Sequence, residues 1–226
     1  MLEKYRGWAG TQMDRFARPF LSWSPNGLSW ASMVLSAIAG LFFVSLRLVG
    51  PVNPLVPLFF FEAASFVFVG GFFDALDGYV ARKKGLSSKR GDFLDHVLDR
   101  YADTVILLGI SFSTWANPYL GLLALVSMLL SSYMGTQAQA VSGKRIYGGV
   151  LGRADRIVLV TLAAFVLFLL TLWNLFVPAS LRLALTISLF GVSLGPLDLL
   201  LLYFLVAGQA TAIYRAAVTW GDLRGK

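Results

Sequence analysis

Six stretches of this 226-residue chain, near 27–49, 54–82, 91–115, 118–141, 154–176 and 196–219, are long and apolar enough to cross a bilayer, which takes ~20 residues of helix. No other feature restricts the fold as much, because hydrocarbon leaves backbone polar groups no partner outside the chain. The chain is 57% hydrophobic and 14% charged, outside the composition of a soluble globular domain. An all-α, polytopic membrane helix bundle with six transmembrane helices is therefore expected.

Residues 180–195 are also apolar, but they are short and bracketed by Pro178 and Pro196, so they read as an external re-entrant or interfacial segment. Ahead of the first span, Leu2, Tyr5, Ala9, Met13, Phe16 and Phe20 recur at helical spacing with charges between them. This pattern suits an N-terminal amphipathic helix over 1–22, lying in the membrane interface with Trp8 and Trp23 as anchors or packed on the protein's own cytosolic face. Glu3, Lys4, Arg6, Asp14, Arg15 and Arg18 break up the apolar core that a cleavable signal peptide needs. Without an internal repeat or a soluble stretch, residues 1–226 read as a single integral-membrane domain, with the six-helix bundle over 27–219. There is no Cys, which excludes disulfides and thiolate metal sites.

Six spans place both termini on one side. Of the 19 Lys and Arg residues, only Arg47 and Arg182 then fall on the other side. The positive-inside rule makes the crowded side cytosolic, in a multi-pass protein of the cell membrane. The net charge of +7 follows from this orientation and from anionic lipid headgroups, with no call for nucleic acid.

Six of the 12 acids crowd into residues 74–103. An Asp near hydrocarbon costs on the order of 2.5–3.5 kcal/mol on insertion scales, so such a cluster persists where cations, water or function hold it. Asp74, Asp77, Gly78, Ala81 and Arg82 stand at i, i+3, i+4, i+7 and i+8 on the second span, along one helix face. On the third span Gly91, Asp95 and Asp99 share a face, with Asp92 beside it and Asp103 a turn deeper. A cytosolic hairpin over Lys83–Arg90 would bring the two faces together.

Each residue type suits a phosphate chemistry. Carboxylate oxygens bind hard ions such as Mg²⁺, and two ions ~3.5–4 Å apart can clamp both ends of a phosphoryl displacement. Gly78, Ala81 and Gly91 let a flat ligand approach the helices closely, and Arg82 offers a forked cation to a diphosphate. His96 lies about 100° around the helix from Asp95, a poor position for a shared ligand set. Dipole complementation alone explains an isolated Asp such as Asp92, but not four Asp with Gly, Ala and Arg in step.

The string Asp-x2-Asp-Gly-x2-Ala-Arg-x8-Gly-x3-Asp-x3-Asp, from Asp74 to Asp99, is identified as the signature of the CDP-alcohol phosphatidyltransferase family, without a gap or substitution. The resemblance implies a homodimeric enzyme that moves a lipid-phosphate unit from a CDP-linked lipid, CDP-archaeol or CDP-diacylglycerol, to an alcohol and releases CMP. It implies that two Mg²⁺ or Mn²⁺ ions are bound by Asp74, Asp77 and Asp95, with Asp99 as fourth carboxylate and catalytic base. Gly78, Ala81, Arg82 and Gly91 would line the CDP pocket, and Asn26, in a Pro25-Asn26 pair similar to the family's, would meet the nucleotide or simply cap a helix.

The signature does not name the acceptor. Lys144, Arg145, Arg153 and Arg156 form a second basic cluster in the turn between the fourth and fifth spans, where they could grip an anionic acceptor. Gly152-Arg153-Ala154-Asp155-Arg156 resembles the Glu-Arg-Pro-Glu-Arg stretch of phosphatidylinositol-phosphate synthases, while Gln137 and Gln139 depart from the bacterial form towards archaetidylinositol-phosphate synthases. Inositol 1-phosphate is thus the expected acceptor, with glycerol 3-phosphate and serine as alternatives. A divalent-cation carrier would instead mark a path of carboxylates through the midplane, and a noncatalytic lipid scaffold would need no Asp quartet.

Overall fold

The computed structural model describes residues 14–144, 146, 148–189 and 192–224. Six long helices dominate it: α1 (Pro25–Ser45), α2 (Leu55–Lys83), α3 (Lys89–Ser111), α4 (Pro118–Ser142), α5 (Arg153–Phe176) and α6 (Pro196–Arg224). Their starts follow local chemistry. The Ser24 hydroxyl accepts from Gly27 N, that of Ser88 from Gly91 N, and the Asn117 side chain from Tyr119 N and Leu120 N, each satisfying donors that the first helical turn leaves open.

Five of these helices, all but α3, have the length and apolar content to cross a membrane. The segment expected as a sixth span forms the helix α3, whose Asp92, Asp95, Asp99, Arg100 and Asp103 leave it less apolar than the other five. Of these, Asp99 and Asp103 are buried and Asp92 is exposed, and α3 packs on α1 and α4. The remaining principal contacts are α1 on α2, α2 on α5, and α4 on α6.

Small residues set the closest approaches, as is usual where helices pack in lipid. A Cβ built on Gly40 would lie 2.6 Å from the Val105 carbonyl oxygen, and one on Gly109 would lie 2.7 Å from Gly40 Cα. The α1–α3 crossing is therefore backbone against backbone. Phe43, Phe60, Leu107, Ile110, Met128, Leu167 and Phe204 fill the core around it.

Among the described residues, 182–189 and 192–195 form no helix. Pro178 leads into a short turn over Ala179–Leu181, and strands β1 (Ile187–Leu189) and β2 (Val192–Leu194) pair antiparallel, Ser188 opposite Ser193. The alternation Ile-Ser-Leu and Val-Ser-Leu has the period of a strand, so an apolar segment too short to span folds as a hairpin.

Most of the expected N-terminal helix, residues 1–13, lies outside the described residues. Residues 14–17 are helical and continue into a turn over Arg18–Phe20. This part packs on the protein: Phe20 meets Phe72 and Phe73 edge-on, and buried Ala17 joins Leu28, Leu76 and Val80. Asp14 pairs with Lys83 and accepts from the Tyr79 hydroxyl. These two partners, Lys83 first, hold the Asp14 carboxyl below its ordinary pKa.

Candidate functional site

A tight turn joins the two carboxylate-bearing helices. Gly85 takes φ +66° with open space where a side chain would be, and Leu86 N bonds back to the Ala81 carbonyl at 2.9 Å. Glycine adopts this left-handed conformation without a Cβ penalty. The chain consequently reverses at once, and the acidic faces of α2 and α3 stand opposite each other.

Carboxylate oxygens of Asp74, Asp77 and Asp95 lie within 4.8 Å of one another, and ligand atoms of Asp95, His96 and Asp99 form a second such group. Asp77 and Asp99 are only 5% and 6% exposed, so their charges require partners. Ser29 on α1 donates to Asp77 Oδ2 at 2.5 Å. From α5, Arg153 Nη1 pairs with Asp74 and, at 2.7 Å, with Asp99 Oδ1. A guanidinium thus occupies the cation position among the carboxylates. The oxygen-only donor set contributed by the Asp quartet fits hard divalent ions.

One turn along α5, Arg156 Nη1 donates to Asp103 Oδ2 at 2.7 Å and Nη2 to Ser131 Oγ at 3.2 Å. Arg100 lies 3.7 Å from Asp103 and 3.9 Å from Asp99. Lys144 is exposed just beyond the end of α4, with its backbone bonded to the Ser142 hydroxyl, and takes part in none of the cluster's contacts. Arg145 lies outside the described residues. His96 is placed closer to the carboxylates than its angular offset suggests: Nε2 is 3.4 Å from Asp92 Oδ1, and Nδ1 is 3.9 Å from both Asp95 and Asp99.

A cavity of about 400 Å³ adjoins the cluster, and its lining includes Asn26, Asp77, Gly78, Ala81, Arg82, Gly91 and Asp95. A Cβ on Gly78 would stand 3.2 Å from Arg82 Nη1, and one on Gly91 3.3 Å from the capping Ser88 hydroxyl. Both glycines keep the helices accessible from the cavity. On the flank, a groove of about 430 Å³ between α2 and α5 runs from Asp74 and Arg153 past Phe68, Phe72, Ile157 and Leu162.

Several site residues escape a reading by motif. Ser29 lies one turn beyond Asn26, a spacing that could have marked it as sharing the cavity mouth. Arg215 and Thr211 on α6 carry no such signal. Arg215 donates to the Gly148 and Ser131 carbonyls, and the Thr211 hydroxyl accepts from Val150 N and Leu151 N, pinning the loop before Arg153.

Comparison with known proteins gives an independent view. A family model described as CDP-alcohol phosphatidyltransferase matches residues 22–195. The archaetidylinositol phosphate synthase of Methanothermobacter thermautotrophicus is 36% identical over 110 residues, covering 49% of this chain and 56% of that protein. A phosphatidylinositol phosphate synthase from Cutibacterium acnes is 31% identical over 175 residues, 73% of this chain and 77% of that protein. The chain thus spans about half the length of the archaeal relative and most of the bacterial one. The crystal structure of Mycobacterium tuberculosis phosphatidylinositol phosphate synthase with CDP-DAG bound superposes with TM-score 0.65 at 24% identity, covering 92% of this chain and 93% of that one. The same enzyme's complex with manganese and citrate also gives 0.65 at 24% identity, covering 92% and 88%. At that identity, the likeness establishes a shared fold.

Proposed function

The chain belongs to the CDP-alcohol phosphatidyltransferase family, and from that premise we propose that it transfers a lipid-phosphate unit from a CDP-linked lipid to the hydroxyl of inositol 1-phosphate, releasing CMP. The observation that carries this reading is the convergence of Asp74, Asp77 and Asp95 oxygens within 4.8 Å, where Asp77 and Asp95 line a cavity shared with Asn26, Gly78, Ala81, Arg82 and Gly91 and Asp74 lines the groove between α2 and α5.

Asp74, Asp77 and Asp95, with Asp99, would hold two Mg²⁺ or Mn²⁺ ions. When bound, such ions neutralise a diphosphate and polarise its phosphorus–oxygen bonds. Arg82 at the cavity wall meets the diphosphate, while Gly78 and Gly91 admit the nucleotide close to the backbone. Asp99 accepts the proton of the acceptor hydroxyl. The freed oxygen attacks the lipid-linked phosphorus, the bond to the CMP oxygen breaks, and CMP departs with that electron pair. No covalent enzyme intermediate is required.

Arg153 already bridges Asp74 and Asp99, so an acceptor phosphate beside Asp99 offers it an alternative anion. Arg156, with Lys144 or Arg145, completes this phosphate grip. The groove between α2 and α5 suits an acyl or isoprenoid chain, because its apolar lining ends at Asp74. The 17-to-2 partition of basic residues supports a cytosolic active face, and the family resemblance supports a homodimer.

The test supplies purified protein in detergent with a CDP-lipid and, in turn, inositol 1-phosphate, glycerol 3-phosphate, serine or free inositol, and measures CMP. Release is expected with Mg²⁺ or Mn²⁺ and inositol 1-phosphate, and neither in EDTA nor from Asp95→Asn. Best turnover with a neutral alcohol would overturn the acceptor assignment, and metal-independent release would overturn the mechanism.

A further inference from the structure

At the end of the bundle opposite the carboxylates, the α1–α2 connection, the α3–α4 connection, the end of α5 and the hairpin segment line an open cavity of about 910 Å³. Arg47 and Arg182 both line it. They are the only Lys or Arg residues in the stretches 19–81 and 157–214, respectively. Two connections far apart in sequence therefore contribute to one cavity the only basic side chains that this end has among the described residues.

Neither guanidinium has a hydrogen bond or ion pair among the described residues. Asp198, the one acid of the lining, is committed elsewhere: Oδ1 accepts from Asn117 N at 2.6 Å and Oδ2 from Gly195 N at 2.8 Å. The backbone beside each arginine is braced. Asn174 exchanges two hydrogen bonds with Leu183, at 2.8 and 3.1 Å, and Thr114 Oγ1 donates to the Leu46 carbonyl at 3.1 Å.

Two cations held on braced loops around a shared space call for an anion. Guanidinium forks match phosphate oxygens in pairs. The cavity exceeds a phosphate group by far, and exposed Leu48 and Val52 lie on its lining, which favours a ligand with an apolar continuation. We propose that Arg47 and Arg182 bind the phosphate of a membrane lipid headgroup at this end of the protein. The site is separate from the transferase centre and stands whether or not the proposed activity does.

The experiment titrates purified full-length protein, in detergent with EDTA, with dioctanoyl phosphatidylglycerol, inorganic phosphate or dioctanoylglycerol, and reads the dissociation constants. Replacing either arginine, as Arg47→Gln or Arg182→Gln, should weaken phosphatidylglycerol binding about tenfold or more, as expected for a lost charge-assisted contact. Arg→Lys variants should retain part of the affinity, and an unchanged thermal midpoint shows that folding is intact. Equal affinity in wild type and both Gln variants would sink the proposal. So would neutral dioctanoylglycerol binding as tightly as the phospholipid, or inorganic phosphate doing so, which would assign the cavity to the free ion. If the Gln variants fail to fold, the Arg47→Lys and Arg182→Lys variants carry the same comparison, and unchanged phosphatidylglycerol affinity in both would overturn the assignment.

Discussion

Arg153 and Arg156 stand one turn apart on α5 and have different surroundings. Arg153 borders both the lateral groove and the quartet, whereas Arg156 is 4% exposed and tied to Asp103 and Ser131. Arg153→Ala should raise the acceptor KM roughly 10- to 150-fold, the effect of losing about 1.5–3 kcal/mol, and should also lower the thermal midpoint in EDTA, because buried Asp99 loses an ion-pair partner. Arg156→Ala should add a folding loss of about 3–5 kcal/mol, because it leaves a buried carboxylate poorly compensated. Acceptor titrations alongside thermal unfolding separate the two, and an unaltered acceptor KM in both variants refutes the phosphate grip. Much of the site at this scale was legible, since residues three, four, seven and eight apart share a helix face whatever the helix packs on. The Ser29–Asp77 bond, 48 residues apart in sequence, was not, because only tertiary packing creates it.

Helix by helix, the spans were readable because hydrocarbon demands apolar runs, and the ends of α2, α4 and α5 fall within two residues of that reading. The end of α3 was harder to place: it stops at Ser111, four residues short of the apolar limit. Apart from the meeting of the acidic faces of α2 and α3, pairing between helices was not readable, since glycines such as Gly40 and Gly109 announce close packing without naming a partner. Their contact has a consequence for the site, because α1 carries Ser29 and α3 carries Asp95 and Asp99. Gly109→Ala should push the two backbones apart, costing about 1–3 kcal/mol as overpacking, and should lower CMP turnover although the residue lies about five helical turns from Gly91. Unfolding curves and turnover measured on the same preparation check both effects. Unchanged stability would show that the crossing tolerates a methyl group.

For the whole molecule, orientation is the property that most needs measurement. Ser87 is exposed in the turn between α2 and α3, and the chain has no Cys to compete for a thiol label. Ser87→Cys should therefore react with a membrane-impermeant maleimide in inverted vesicles and not in intact cells. The opposite result would reverse the proposed topology. Charge asymmetry made this expectation available from sequence, whereas the arrangement of cavities was not, because a cavity belongs to no single segment. The groove between α2 and α5 lies on the flank, where Phe68 and Leu162 are exposed, while the nucleotide-sized cavity lies beside the α2–α3 turn. On the proposed reading, the lipid substrate arrives by diffusion within the bilayer plane and the soluble acceptor from the aqueous phase. Turnover then depends on two unlike concentrations, one a mole fraction per unit of membrane area and the other a molarity, and diluting the donor with inert lipid slows the reaction even when the total amount of donor is constant.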